Sequence, residues 1–407
     1  MKVNITNKMN GPFNIINFGY NPWSHFWKRN QTMAYLLAQT EWVDQLLFIN
    51  REARVSNLFC DFAREVREPH INNWKAILPR KIEKNVTVFT PTYLPFQNRL
   101  PLVSRFSASV QTSLLAHYLA KPTICIVNDP IPPGHRVIKD VLQRSSVKIF
   151  DWSDDFKEFT ADSAERESLE KSCEFYCKNT DVVFAINDQL RDRAKAYQGN
   201  AYTIRNATNF FTFDDRLPSQ ALKTPVLAAL RPPIIGYIGW LGGARLDEDL
   251  IYFLAQAKPE WQFVFMGPRS EPHPLGRKIP HLKNVHLLDP VPYHQLPKVL
   301  AKLNVCIIPN KVNSYTRGND PIKIYDYLAS GNPIVSTRTQ GVEDFKDSIY
   351  IADNKDEFLR YLNICLTNDS ADNRRRRQEI GRHNSWQERM ESVKKILEPF
   401  LKRKVKV

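Results

Sequence analysis

The most chemically loaded stretch of this chain is Arg317-Gly-Asn-Asp320-Pro-Ile-Lys323-Ile-Tyr-Asp326-Tyr-Leu-Ala-Ser-Gly331. Asn319 or Asp320, in front of Pro321, reads as an N-cap with proline at the first helical position, and Gly331 reads as the helix stop. Lys323 and Asp326 are three residues apart and so share a helix face. A cation in a first turn opposes the helix dipole, so a purely structural design would avoid Lys323 there. With an anion seated at that N-terminus, the lysine becomes a second positive element, and Asp326 is placed to accept from a sugar hydroxyl. The bland alternative is a surface lysine and aspartate forming a weak pair.

Two other loops carry candidate groups. Gly236-Tyr-Ile-Gly239-Trp240-Leu-Gly242-Gly243 lies between an apolar run and a helix starting near Asp247. Glycines at a strand-to-helix turn let backbone approach a phosphate, although the spacing is not GxGxxG and tight turns need glycine anyway. Asp247-Glu-Asp249 could pass for a metal-binding DxD, but acidic residues at a helix start suit the dipole, and capping is the favoured reading. In Asp151-Trp-Ser-Asp154-Asp155 the clustered carboxylates follow an apolar run. Repulsion among them can hold one proton at a pKa suited to a general base; ordinary turn residues are the alternative.

The elements that must position these groups follow from hydrophobic patterning. Short apolar runs alternate with helix-like stretches, the pattern of βαβ units. The first half holds FNIINFG, QLLFIN, NVTVFT, TICIVND, VKIFDWSD, DVVFAIN and AYTIRN. The second holds PIIGYIG, WQFVFMG, NVHLLDP, VCIIPN, PIVST and SIYIAD. Most are apolar without alternation, as in parallel strands covered on both faces. Helical stretches intervene, among them Phe26 to Gln39, Tyr293 to Leu303 and Asp320 to Ser330. Asp214 to Pro233, with four prolines and little periodicity, reads as a linker. The expected architecture is α/β, two Rossmann-like, doubly wound parallel-sheet domains facing a cleft. Ligands in such sheets sit beyond the carboxyl ends of the strands.

With 407 residues, 43% hydrophobic and 25% charged, the composition is globular and argues against disorder, collagen and coiled coil. GxxxxGK[ST], HExxH and GxSxG are absent from the sequence, which removes the usual signatures of P-loop hydrolysis, zinc proteolysis and α/β-hydrolase chemistry. Six cysteines are scattered without CxxC pairs; Cys173 and Cys177 are four apart on an expected helix with no second ligand pair. The formal charge is +14, and from Arg374 to Val407 twelve Lys or Arg face four Glu. A solvated basic helix is one reading of that tail and a polybasic foot on an anionic leaflet is another; it lacks the interleaved aromatics of a nucleic-acid platform. No run reaches the roughly 18 apolar residues of a membrane span, and the N-terminus lacks a signal-peptide core. The expected location is the cytoplasm, with membrane contact only peripheral, on the inner face of the cell membrane.

Taken in order, GYIGWLGGARLDEDL, WQFVFMGP, NVHLLDPVPYHQLPKVLAKLNVCIIP and DPIKIYDYLASGNPIVST resemble the second domain of GT-B glycosyltransferases. In the first half, NPWSHFWKRNQTMAYLLAQ, FDWSDDF, DVVFAIN and IRNATNF resemble bacterial envelope-polysaccharide transferases of the teichuronic-acid and xanthan glucuronosyltransferase type. NSWQERMESVKKIL resembles that family's last helix, which crosses back to the first domain. The resemblance implies an acceptor domain at 1–213, the linker at 214–232, a donor domain at 233–384 and the basic helix at 385–407. It implies a nucleotide-sugar donor, most often UDP-linked, with no cofactor and no obligatory metal, and a lipid-linked or glycan acceptor. By that resemblance Lys323, with Arg317 and Asn319 beside it, holds the diphosphate and Asp326 the ribose. Gly239 and Trp240 form the loop beneath the phosphates, Val291 to Tyr293, with Pro292 between them, lie near the base, and Asp154, then Asp155, is the catalytic base. Many retaining members carry a pair of glutamates here; the second position is Asp326, while eight residues earlier stands Gly318. The missing first acid favours inversion. Two other readings compete: a non-catalytic nucleotide-sugar or polysaccharide-binding protein of the same fold, and a basic nucleic-acid-binding protein, which the donor-site residues disfavour.

Overall fold

The computed structural model describes residues 12–20, 23, 28–51, 53–54, 79–93, 101–132, 135–213, 224–242, 245–269, 275, 279–313, 316 and 318–403. They form two compact units, one of Met1–Ile204 with Met390–Val407 and the other of Arg205–Arg389. Each is built on its own sheet.

All thirteen apolar runs are strands. In the first unit they are β1 (Phe13–Phe18), β2 (Val43–Ile49), β5 (Val86–Phe89), β7 (Thr123–Val127), β8 (Val147–Trp152), β9 (Val182–Ala185) and β10 (Ala201–Thr203). The additional strands β3 (Ala53–Arg54) and β6 (Thr92–Tyr93) pair with each other, and β4 (Arg80–Glu83) joins the main sheet. Its order is β10-β9-β8-β7-β1-β2-β5-β4, parallel except for the β4–β5 edge pair. The sequence Arg-Lys-Ile-Glu of β4 is exposed throughout, so no apolar run marks it; charge on an edge strand discourages pairing with another chain. Helices fill the crossovers, including Arg29–Ala38, Pro101–Leu119, Arg136–Arg144, Ser163–Asn179 and Asp188–Lys195. The core packs around Phe150, Trp152 and Tyr176, with the Phe150 and Tyr176 rings stacked at 5.3 Å. Cys173 and Cys177 are buried in that core, where desolvation pushes the Cys177 thiol up to about 12, a small hydrophobe rather than a reactive pair. Cys60 lies outside the described residues.

The second unit holds β11 (Ile234–Ile238), β12 (Gln262–Met266), β13 (Val285–Leu288), β14 (Val305–Ile308), β15 (Ile334–Thr337) and β16 (Tyr350–Ala352). They form one wholly parallel sheet in the order β13-β12-β11-β14-β15-β16. The helices Glu248–Ala257, Leu296–Lys302, Ile322–Ser330 and Lys355–Asn368 cover it. Asp247 is the N-cap of the first, its side chain accepting from the Leu250 amide at 3.0 Å: the acidic Asp247-Glu-Asp249 caps a helix.

Of the linker stretch, 214–223 lie outside the described residues, and Pro225–Ala229 is a short helix with Leu227 buried. The compact units divide earlier, at Ile204 and Arg205. The reason is polar: Arg205 pairs with Asp344 at 2.7 Å, the Asn206 amide donates to Asp320 Oδ2 at 2.7 Å, and Trp386 donates to the Thr208 carbonyl at 2.9 Å. These bonds tie 205–209 to the second unit.

The tail forms the helices Ala371–His383 and Trp386–Arg403. Much of its charge is answered locally: Arg375 pairs with Asp372, Arg382 with Glu379, Lys394 with Glu391 and Lys402 with Glu398. Arg377 is buried, bonded to Asp369 and to the Gly331 carbonyl. Among the described residues no helix is long and apolar enough to cross a membrane.

Candidate functional site

In the second unit the chain leaves β11 through Gly239, whose φ of 150° few side chains tolerate. A Cβ there would stand 2.9 Å from Lys323 Cε and 3.2 Å from Nζ. Backbone conformation and the approach of the lysine both require glycine. Lys323 sits in the first turn of the helix Ile322–Ser330 and is 7% exposed. Its Nζ lies 4.8 Å from the Tyr237 ring centroid, and it has no ion-pair partner among the described residues. Burial first, and the Arg245 guanidinium second, push its pKa down to about 7, with Asp326 pulling the other way.

The N-cap differs from the expected one. Pro321 occupies that position, and the helix has no side-chain cap. Asp320 is unavailable because its Oδ1 accepts from the Tyr325 hydroxyl and its Oδ2 from the Asn206 amide, both at 2.7 Å. Asn319 is half-buried, its amide donating to the Thr316 carbonyl. The first turn therefore presents backbone N–H groups and an ammonium with no ion-pair partner among the described residues, an arrangement suited to an anion. Gly331 ends the helix with φ of 76°, as the stop signal predicts.

Asp326 is buried, and its Oδ1 accepts from Thr208 Oγ1 at 2.7 Å and from the Tyr293 hydroxyl at 2.6 Å. Burial raises its carboxyl to about 6, opposed by those two bonds and by Lys323. Tyr293 opens the turn Tyr293–Gln295, preceded by exposed Pro292. Trp240 is half-exposed, and its carbonyl accepts from the Tyr237 hydroxyl at 3.1 Å. Lys323 thus packs on Gly239, Tyr293 bonds Asp326, and Lys323 and Asp326 share one helix, with Trp240 joined through Tyr237. Arg317 lies outside the described residues.

Sequence reasoning missed Thr208, Arg245, Asn310 and Thr339. Asn310 follows β14 and Thr339 follows β15; the buried Asn310 Oδ1 and Thr339 Oγ1 have no hydrogen-bond partner among the described residues. Buried polar atoms are rarely left so, and these two stand at carboxyl ends of the sheet. The asparagine after an apolar run was visible in the sequence; its orphaned oxygen was not.

In the first unit the carboxylates at the end of β8 and just beyond it are dispersed, Asp151 and Asp155 each to its own arginine. Asp151 is fully buried and accepts from Arg29 Nη2 at 2.7 Å, Arg29 Nε at 3.1 Å and Asn128 Nδ2 at 2.8 Å. Asp155 pairs with Arg193 at 3.1 Å, and that guanidinium lies 4.8 Å over the Trp152 ring. Asp154 is half-buried ahead of the turn Phe156–Phe159, its carbonyl accepting from the Phe156 amide at 3.0 Å. Mutual repulsion is therefore not what sets Asp151 and Asp155 apart; each has its own arginine. Of the aromatic stretch 21–27, only Trp23 is described; it donates to Asn50 Oδ1 at 2.7 Å.

Residues 233–368 match the family described as glycosyl transferases group 1. The matched segment lies within the second unit. Over 238 residues the chain is 21% identical to the putative teichuronic acid biosynthesis glycosyltransferase TuaH of Bacillus subtilis, covering 57% of this chain and 58% of that relative. Sucrose-phosphate synthase from Thermosynechococcus elongatus superimposes with a TM-score of 0.68 at 13% identity, over 95% of this chain and 98% of that one. Anabaena HepE, solved in complex with UDP and glucose, gives 0.64 at 14% identity, over 95% and 100%. The fold is that of the GT-B glycosyltransferases.

Proposed function

We propose that this protein transfers a sugar from a nucleotide sugar, UDP-linked, to a hydroxyl of a lipid-linked or polysaccharide acceptor in cell-envelope polysaccharide synthesis, with inversion. The observation that carries the reading is Lys323: a buried ammonium without a carboxylate partner, packed on Gly239 at an uncapped helix start. UDP in the Anabaena structure and the teichuronic-acid role of the Bacillus relative support the donor and the pathway.

In the reaction the acceptor oxygen attacks the anomeric carbon opposite the diphosphate. The carbon–oxygen bond to the diphosphate breaks, its electron pair leaves with the nucleotide, and the acceptor proton passes to Asp154. Asp155 is the second candidate, disfavoured by its pairing with Arg193. Charge growing on the leaving diphosphate meets Lys323, Arg245 and the helix N-terminus, which are preorganised for it. These cations make a metal dispensable, so chelation with EDTA leaves turnover intact. Asp326 Oδ2, which receives no hydrogen bond among the described residues, accepts from the ribose. Gly318, where retaining relatives carry an acid, supports inversion. The basic residues of the last two helices would hold the protein to an anionic membrane where a lipid-linked acceptor resides.

A thermal-shift panel of nucleotides and nucleotide sugars tests the donor, since a ligand at 100 times its Kd stabilises by about 2.7 kcal/mol. UDP-sugars should stabilise the protein and be turned over with inverted anomeric configuration by NMR. Binding without turnover on any glycan or lipid-linked acceptor would leave a nucleotide-sugar-binding protein of the same fold.

A further inference from the structure

In the first unit the chain proceeds outward from β1 through β2 to β5, then returns to place β7, β8, β9 and β10 on the other side. The direction reverses between β1 and β7, and open parallel sheets hold ligands beyond the carboxyl ends at such a point. A cavity of about 360 Å³ lies there, walled by Phe18, Ile49 and Phe89 at the last positions of β1, β2 and β5 and by Asp129 just after β7. Leu115 and Ile138 from two helices extend its aliphatic wall.

Asp129 is 2% exposed, and its Oδ2 accepts no hydrogen bond among the described residues; that oxygen has only the ion pair with Arg51 Nε at 3.2 Å, from a side chain 63% exposed. The contrast with Asp151, equally buried in the same sheet, is sharp: that carboxylate accepts from both Arg29 and Asn128. A buried carboxylate without hydrogen bonds is costly, and the cost is removed by a ligand that donates. Burial also pushes the Asp129 carboxyl up to about 6, with Arg51 opposing. Asn50 is already spent, bonded to Thr90 at 2.8 Å and to Trp23. Glu165 at the rim adds a second negative charge against the single arginine, which disfavours anions. The volume falls at the small end of the roughly 300–1,000 Å³ of small-molecule sites.

We infer that this cavity binds the ring of an uncharged sugar, its hydroxyls donating to Asp129 and its apolar face resting on the aliphatic wall. Given the glycosyltransferase reading, on which this part rests, the ring is the terminal sugar of the acceptor.

Saturation-transfer NMR on the full chain tests it, with methyl β-glucoside, methyl β-galactoside and N-acetylglucosamine as neutral probes, methyl glucuronide as the anionic one, and UDP as the donor-side control. At least one neutral probe should bind better than the glucuronide. Asp129→Asn should weaken it at least tenfold, and Leu169→Trp, which fills the cavity from its half-buried rim, should abolish it; UDP affinity should hold in both. Two variants guard against one failing to fold, which melting curves would reveal. A wild type that binds UDP but no neutral probe, a tighter glucuronide, or unchanged binding in Asp129→Asn overturns this inference alone. Failure to bind UDP in the wild type overturns the donor reading instead, while glycoside binding would stand.

Discussion

The two sheets each reverse direction at one point, between β11 and β14 in the second unit and between β1 and β7 in the first, yet they load that point differently. At β11/β14 the central groups, Lys323 and Asp326, come from one helix turn, with Gly239 packed on the lysine. At β1/β7 the groups arrive singly from the ends of four strands and from helices between them. A single helix can carry a charge pattern that local sequence reveals; a cavity assembled one residue per strand leaves no such pattern. The first unit also holds two buried aspartates, Asp151 with three donors and Asp129, whose Oδ2 has none among the described residues. Burial alone therefore does not mark a functional carboxylate. An oxygen left without a donor does.

The comparison breaks most visibly at Asp151. Asp151→Ala leaves Arg29 buried and uncompensated, a loss of about 3–5 kcal/mol in chemical denaturation; a loss under 1 kcal/mol would show that the pair is not structural. Next in size, Lys323→Ala should weaken UDP-sugar binding by about 2 kcal/mol, the scale of a lost charge-assisted contact. Unchanged affinity by calorimetry would separate the lysine from the diphosphate.

Asp129→Asn should act in the opposite direction from Asp151→Ala, raising stability by about 1 kcal/mol at pH 8, within the range for relief of an unsatisfied buried group. With the folded pKa raised to about 6 from 3.8, the folded state binds more protons between those values, so the wild type loses stability as pH rises through that window. The gain from Asn should therefore be full above pH 6 and absent below pH 4. A pH-independent gain would place its origin elsewhere.

The smallest effect concerns protons at the donor site. Lys323, lowered to about 7, is charged below that pH and largely neutral above it in the unliganded protein. UDP affinity should fall as pH rises from 6.5 to 8.5, by at most about tenfold per pH unit, and binding near pH 7.5 should take up a fraction of one proton. Calorimetry in buffers of different ionisation enthalpy measures that uptake; proton release would contradict the assignment. In the unliganded protein the same lowered pKa makes stability rise with pH between 7 and 10.5, because the unfolded chain binds the extra proton.

Every apolar run became a strand because a stretch such as VVFA has no polar side chain to show to water and must be covered on both faces. Exposed β4 gave no such signal. Around the donor helix, Lys323, Asp326 and Gly331 were legible from spacing and dipole. The N-cap was not, since Asp320 is drawn off by Asn206, 114 residues away. The triplet of aspartates after β8 looked like one carboxylate cluster, but Arg29, 122 residues before Asp151, and Arg193, 38 after Asp155, divide it.

Sequence alone determined what local physics controls: which apolar segments are strands, where the donor helix stops, and which helix turn carries a cation against its own dipole. Tertiary structure alone decided which buried charges are satisfied. Thr208 on Asp326, Arg29 on Asp151 and the lack of a donor to Asp129 Oδ2 among the described residues depend on residues that meet only when the sheets form. Hydrophobic periodicity is written within a few consecutive residues, whereas partners for a buried carboxylate come from anywhere in the chain.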